Sequence, residues 1–161
     1  VCSKCEGKWI TNKSYDQWLE HHGETLPEIP STEENDLTIP EFELARLCPE
    51  CRRILVKYKV GRGTSFKIDR CGNCAGVWLE DGEWKTLKSR NLHDELHKVF
   101  TDHWQEEVSR DETRKTLENI YREKFGEADY MKIRDFKTWI NHHEKSGEII
   151  AFIRDKNPLQ F

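Results

Sequence analysis

At 161 residues the chain has room for one medium domain or two to three small ones. Charged side chains make up 35% of it, which argues against a single large core, and no apolar run approaches the ~18 residues that a membrane span needs. The net charge of −4 conceals an asymmetry: residues 24–43 carry seven acids and no base, whereas residues 52–70 carry Arg52, Arg53, Lys57, Lys59, Arg62, Lys67 and Arg70 against Asp69 alone.

The chain opens Cys2-Ser3-Lys4-Cys5-Glu6-Gly7-Lys8-Trp9-Ile10, and the same C-x2-C-x-G-x-W-aliphatic pattern returns as Cys71-Gly72-Asn73-Cys74-Ala75-Gly76-Val77-Trp78-Leu79. The tryptophan of each copy can cover a metal site with a large apolar surface. Tyr15 and Trp18 stand at the same offsets as Trp84 and Leu87, so a short helix is expected after each copy. Ser14 reads as the N-cap of the first and Gly23 as its stop, with His21 and His22 at its C-terminus, where the helix dipole favours imidazolium. Val1 is not an initiator methionine, so the natural N-terminus is expected upstream. Two readings of the first copy stand side by side: its opening cysteine pair precedes Val1, or Cys2 and Cys5 are the remnant of a degenerate copy.

Pro27, Pro30 and Pro40 with the acidic run make residues 23–45 an extended linker, too polar to fold alone. It is expected either to be a solvated spacer or to act as an electrostatic strap over the basic stretch that follows.

Cys48-Pro49-Glu50-Cys51 and, nineteen residues on, Cys71-Gly72-Asn73-Cys74 have the spacing of a four-cysteine zinc site. Each C-x2-C turns two thiolates toward one point, and four sulfur ligands leave no open position for water or substrate, which predicts structural Zn2+ and opposes metal catalysis. Between the pairs, Ile54, Val56, Tyr58 and Val60 alternate with Lys57 and Lys59 as a half-buried strand. Gly61-Arg62-Gly63 supplies the turn and Phe66-Lys67-Ile68 the return strand. The bases of this hairpin are candidate partner-binding residues, for phosphates or for an acidic protein surface.

Asp81 is expected to cap a helix carrying Trp84 and Leu87. From Asn91 the pattern is helical: Leu92, Leu96, Val99, Phe100 and Trp104 form a core-facing stripe, and residues 109–116 are polar throughout. Leu117, Ile120, Tyr121 and Phe125 resume the stripe up to Gly126. Tyr130, Ile133, Phe136 and Ile140 mark another helix, and Ser146 caps a last one that stops before Pro158. Helices of this kind form a bundle or arms around aromatic contacts. His93-Asp94-Glu95-Leu96-His97 with His103 resembles a spaced metalloprotease signature, but Asp94 replaces the glutamate base and Phe100 the bending glycine.

The residues Cys48-Pro49-x-Cys51, Asp69-Arg70-Cys71-x-x-Cys74, Gly76-Val77-Trp78-Leu79 and Asp81-Gly82-Glu83 closely resemble the TFIIB-type zinc-finger domain family. Ala75 and Glu80 depart from the family's usual residues without touching a ligand. The resemblance covers residues 46 to about 90, with half of a second copy over 1–22, and it implies zinc at Cys48, Cys51, Cys71 and Cys74. Two such ribbons followed by a helical tail are similar to proteins of cyanobacteria and plastids. The fold expected is small α+β metal-bound domains: a partial first zinc-ribbon repeat over 1–22, the linker over 23–45, a zinc ribbon with its helix over 46–90, and an α-helical region over 91–161. The function expected is a non-enzymatic interaction or assembly module, with Zn2+ at those four cysteines and at Cys2 and Cys5, docked to protein partners in a larger complex. The alternatives are nucleic-acid binding through the basic hairpin 52–70, in transcription or RNA handling, and thiol–disulfide chemistry at the C-x2-C pairs. Paired thiols serving as ligands imply a reducing compartment inside the cell; with the resemblance to the two-ribbon proteins, cytoplasm or plastid stroma is expected.

Overall fold

The computed structural model describes residue Cys2 and residues 6–22, 45–80 and 82–156. The linker, its strap reading, Cys5, Gly23, the Asp81 cap and Pro158 lie outside the described residues. Two compact units divide the chain, residues 1–111 and 112–161.

The first unit is organised on a four-stranded antiparallel sheet in the order β1-β4-β3-β2, made of β1 (Lys8–Ile10), β2 (Val56–Lys59), β3 (Lys67–Arg70) and β4 (Val77–Leu79). The hairpin β2–β3 pairs Val56 with Arg70 and Lys59 with Lys67. Its turn places Gly61, Arg62 and Gly63 all at positive φ, a run that the two glycines make accessible. Strand β1 of the first repeat pairs with β4 of the second, Lys8 opposite Leu79, Trp9 opposite Trp78 and Ile10 opposite Val77. Sequence-equivalent strands thus run antiparallel about a local two-fold axis through the two tryptophans.

Helix α1 (Asn12–His22) follows β1, and α2 (Glu83–Ser89) follows β4. Thr11 rather than Ser14 caps α1, because Thr11 Oγ1 accepts the Ser14 backbone N–H at 3.1 Å. At α2 the Glu83 carboxylate reaches back to accept the Glu80 N–H at 2.8 Å. The short α3 (Leu96–Val99) leads into α4 (Asp102–Phe125), where Thr101 Oγ1 accepts the Trp104 N–H at 3.3 Å.

The predicted stripe of Leu92, Leu96, Val99 and Trp104 is buried, together with Val60, Phe66, Ile68, Val77, Leu79 and Leu87. The C-terminal helices therefore do not begin a separate region at 91: residues 92–108 complete the ribbon's own core. Trp104 Nε1 donates to the Val60 carbonyl at 3.0 Å. The Gln105 amide accepts the Lys59 N–H at 3.2 Å and donates to the Lys59 carbonyl at 2.9 Å. Gln105 thereby satisfies backbone groups along the outer edge of β2, which the sheet leaves unpaired.

The expected alternation on the first hairpin strand is offset. Leu55 and Val60 are buried, whereas Ile54 and Val56 are 65% and 49% exposed. Ile54 instead bridges Leu47, so the regular strand starts only at Val56 and the residues leaving the cysteine loop do not share its pleat.

Residues 109–116 are exposed on an unbroken α4. The second unit contains the remainder of α4 with α5 (Glu127–Asn141) and α6 (Ser146–Arg154), whose first residue, not whose cap, is Ser146. Tyr130 and Ile140 are buried there, and Arg122 lies 4.9 Å over the Tyr130 ring. Leu117, Ile133, Phe136, Trp139, Phe152 and Ile153 remain 43–57% exposed. No helix among the described residues is long and apolar enough to cross a membrane.

Candidate metal centre

Two loops of identical backbone build the centre. Cys48 N–H donates to the Arg53 carbonyl at 2.7 Å while Arg52 N–H donates to Cys48 at 3.0 Å; likewise Cys71 N–H donates to Gly76 at 2.9 Å and Ala75 N–H to Cys71 at 2.9 Å. In each loop the fifth residue is left-handed, Arg52 at φ 63° and Ala75 at φ 57°. These are not glycines, so the loop holds them there at a cost that its ligand geometry must offset.

The loops bring Cys48, Cys51, Cys71 and Cys74 together with all four sulfurs within 4.8 Å of one another, and Cys51 and Cys71 only 3.5 Å apart. A tetrahedron with metal–sulfur bonds of about 2.3 Å has edges of about 3.8 Å, so the cluster fits a four-thiolate ion. Cys48 and Cys71 are buried and the other two partly so. Backbone N–H groups of Asn73 and Cys74 donate to Cys71 Sγ at 3.4 and 3.3 Å, which spreads thiolate charge into the loop.

Cys48, Cys71 and Cys74 are shifted in different directions. Burial pushes Cys48 up, while the Cys74 and Asn73 N–H groups bring Cys71 down to about 7. Cys74 is pushed up to about 12, chiefly by its hydrogen bond with the Cys51 thiol. Thiols this close resist joint ionisation, and a divalent cation is what makes four thiolates compatible.

Around the centre sits a cluster of acids and bases. Arg46 contacts Glu80 at 2.5 Å and Asp69 at 3.4 Å, and Lys57 reaches Asp69 at 3.4 Å. Glu83, buried beside these carboxylates, is pushed up to about 8, mainly by desolvation. Sequence reasoning missed Arg46 and Gln105; neither lies in a motif, and only the folded contacts give them a role.

The predicted basic residues do not form one field. Arg52 and Arg53 are exposed beside the metal loop. Lys57 is paired with Asp69, Arg62 lies 4.6 Å over the Trp104 ring and 4.0 Å from Glu95, and Arg70 lies 4.7 Å over Phe100. Lys59 and Lys67 are half-buried on β2 and β3.

Cys2 and Glu6 repeat the hydrogen bonds that Cys48 and Arg52, and Cys71 and Ala75, make in the two metal loops. Cys2 N–H donates to the Gly7 carbonyl at 2.8 Å, Glu6 N–H donates to Cys2 at 2.9 Å, and Glu6 sits at φ 56°. Trp9 and Trp78 both pack against the metal cluster. The protease-like histidines are dispersed: α3 starts at Leu96, so His93 and His97 share no helix, and His93 is buried edge-on to Trp18 and Trp84.

The sheet, the twin loops and the four clustered cysteines define a zinc ribbon with an appended helix. Residues 47–90 match the TFIIB zinc-ribbon family described as transcription factor zinc-finger. No curated protein and no solved structure matches the chain.

Proposed function

We propose that this protein is a non-catalytic zinc-binding module that docks to protein partners in a larger assembly. Four sulfur donors complete a tetrahedron and leave a bound Zn2+ no position for substrate, so the metal's work is to hold the ribbon folded. The observation that favours protein over nucleic acid is the fate of the hairpin's surface. Lys57, Arg62 and Arg70 are engaged within the chain, while Leu47, Ile54 and Val56 stand 49–65% exposed. Exposed apolar residues grouped in this way suit a protein surface better than a phosphate backbone.

Cys2 and Cys5 are proposed as two ligands of a second zinc site, which two further thiolates would complete. The hydrogen bonds of Cys2, Glu6 and Gly7 and the left-handed φ of Glu6 support this, because both metal loops show the same pattern. Replacing Cys2 and Cys5 by serine should lower the zinc content of the protein by one ion and leave the first site filled.

The deciding experiment is a salt titration. Binding to mixed-sequence DNA and RNA should be undetectable at 50 mM salt; tight binding that weakens steeply toward 200 mM would establish the phosphate-binding alternative.

A further inference from the structure

The local two-fold axis through Trp9 and Trp78 relates two cavities in the first unit that differ greatly in size. One measures about 40 Å³ and has Ile10, Tyr15, Asp16 and Val77 in its walls. Adding or subtracting the repeat offset of 69 turns these into Leu79, Trp84, Lys85 and Lys8, and all four line a cavity of about 590 Å³. The two are equivalent places in the two halves of the fold.

The small cavity is small because helix α3 occupies it. Leu96 is 1% exposed, and Phe100 lines the same wall beneath Arg70. Tyr15 fastens this helix: its hydroxyl donates to the His93 carbonyl at 2.9 Å and accepts the Leu96 N–H at 3.1 Å. Ile10 and Tyr15 border the large cavity too, where Trp84 holds the symmetry-equivalent place on α2 and Trp18 meets it edge-on with ring centroids 5.2 Å apart.

We infer that the groove between α1 and α2 is a docking site for a helical turn of a partner protein that presents leucine and phenylalanine four residues apart, next to an acidic side chain. The apolar part of the occupant follows from α3 in the equivalent place. The acid follows from charge. Val77 and Asp16 of the filled cavity become Lys8 and Lys85 in the open one; of the two carboxylates at its wall, Glu80 is paired with Arg46, so two lysines stand against Glu6. This is the recognition of an amphipathic helix by a groove, on a small scale. It rests on the interaction-module reading above and names the chemistry of the partner.

The test uses the zinc-loaded 161-residue chain, labelled with 15N, and a synthetic peptide of residues 92–103, which carries the leucine, the phenylalanine and the flanking acids. The expected result is saturable shifts of the Trp18 and Trp84 indole signals and of the Lys8 and Lys85 amides. Binding should weaken about tenfold with Trp84→Ala or with a Phe100→Ala peptide, the scale for one buried aromatic anchor. Because Trp84→Ala also removes contacts with the core, Ser14→Trp serves as a second variant; it fills the mouth from an exposed helix position and should block the peptide. The inference is overturned by an absence of shifts at millimolar peptide, by shifts confined to Asp16 and Val77 where the peptide would only exchange with α3, or by equal binding of the Phe100→Ala peptide. None of these outcomes alters the salt titration, so the two readings fail separately.

Discussion

Trp9 and Trp78 face each other across β1 and β4, and each ring lies on the glycine of the other repeat's cysteine loop. A Cβ on Gly76 would come within 2.3 Å of the Trp9 ring, and one on Gly7 within 2.6 Å of the Trp78 ring. The glycine in each C-x2-C-x-G-x-W pattern is therefore a seat for the tryptophan of the opposite copy, and the tryptophans join the two copies rather than each sealing its own.

Gly76→Ala and Gly7→Ala should each destabilise the zinc-loaded protein by about 1–3 kcal/mol, the cost of overpacking a close contact. Gly72→Ala, where a Cβ would meet nothing within 4 Å, should stay near wild type. Urea unfolding of the three variants reads the difference directly.

Tyr15 joins the first repeat to residues nearly eighty positions away by donating to His93 and accepting from Leu96. Tyr15→Phe keeps the ring but removes both bonds from a buried place. A loss of about 1–3 kcal/mol is expected, measured by denaturant midpoint at unchanged slope.

Glu83 gives the fold a pH dependence of definite sign. Its carboxyl is pushed up to about 8 by burial, above the value of 4.5 it has when exposed. The folded state thus holds a proton that the unfolded chain releases. The stabilisation from this group is full below about pH 4.5 and is lost as pH rises through 8. Glu83→Gln keeps an acceptor for the Glu80 N–H and cannot ionise, so its stability relative to wild type should improve between pH 5 and 8. A constant difference between the two proteins across that window would show that Glu83 is ionised in the folded state throughout.

Much of the site was legible because it is written locally. The four metal ligands follow from two cysteine spacings, and the repeat follows from a glycine and a tryptophan at fixed offsets from each pair. The stripe from Leu92 to Trp104 likewise announced a buried helical face. What that face would bury against was not legible, since nothing near Gln105 or Trp104 refers to Lys59 and Val60 more than forty residues earlier. The same holds for the union of β1 with β4, where two three-residue strands pair across 69 positions. The misplaced alternation at Ile54 and Val56 has a shorter range: the cysteine loop and the Leu47–Ile54 bridge set where the pleat begins, and hydrophobicity alone does not reveal that frame.

The central claim, that a metal held by Cys48, Cys51, Cys71 and Cys74 folds the ribbon, is tested most directly by native mass spectrometry of the purified chain and its Cys71→Ser variant, with the near-ultraviolet circular dichroism of the tryptophans as a check on the fold. The account predicts a zinc ion bound to the wild type, its loss in the variant or on chelation, and collapse of the tryptophan signal with it. A metal-free chain that keeps the same tryptophan signal would contradict it.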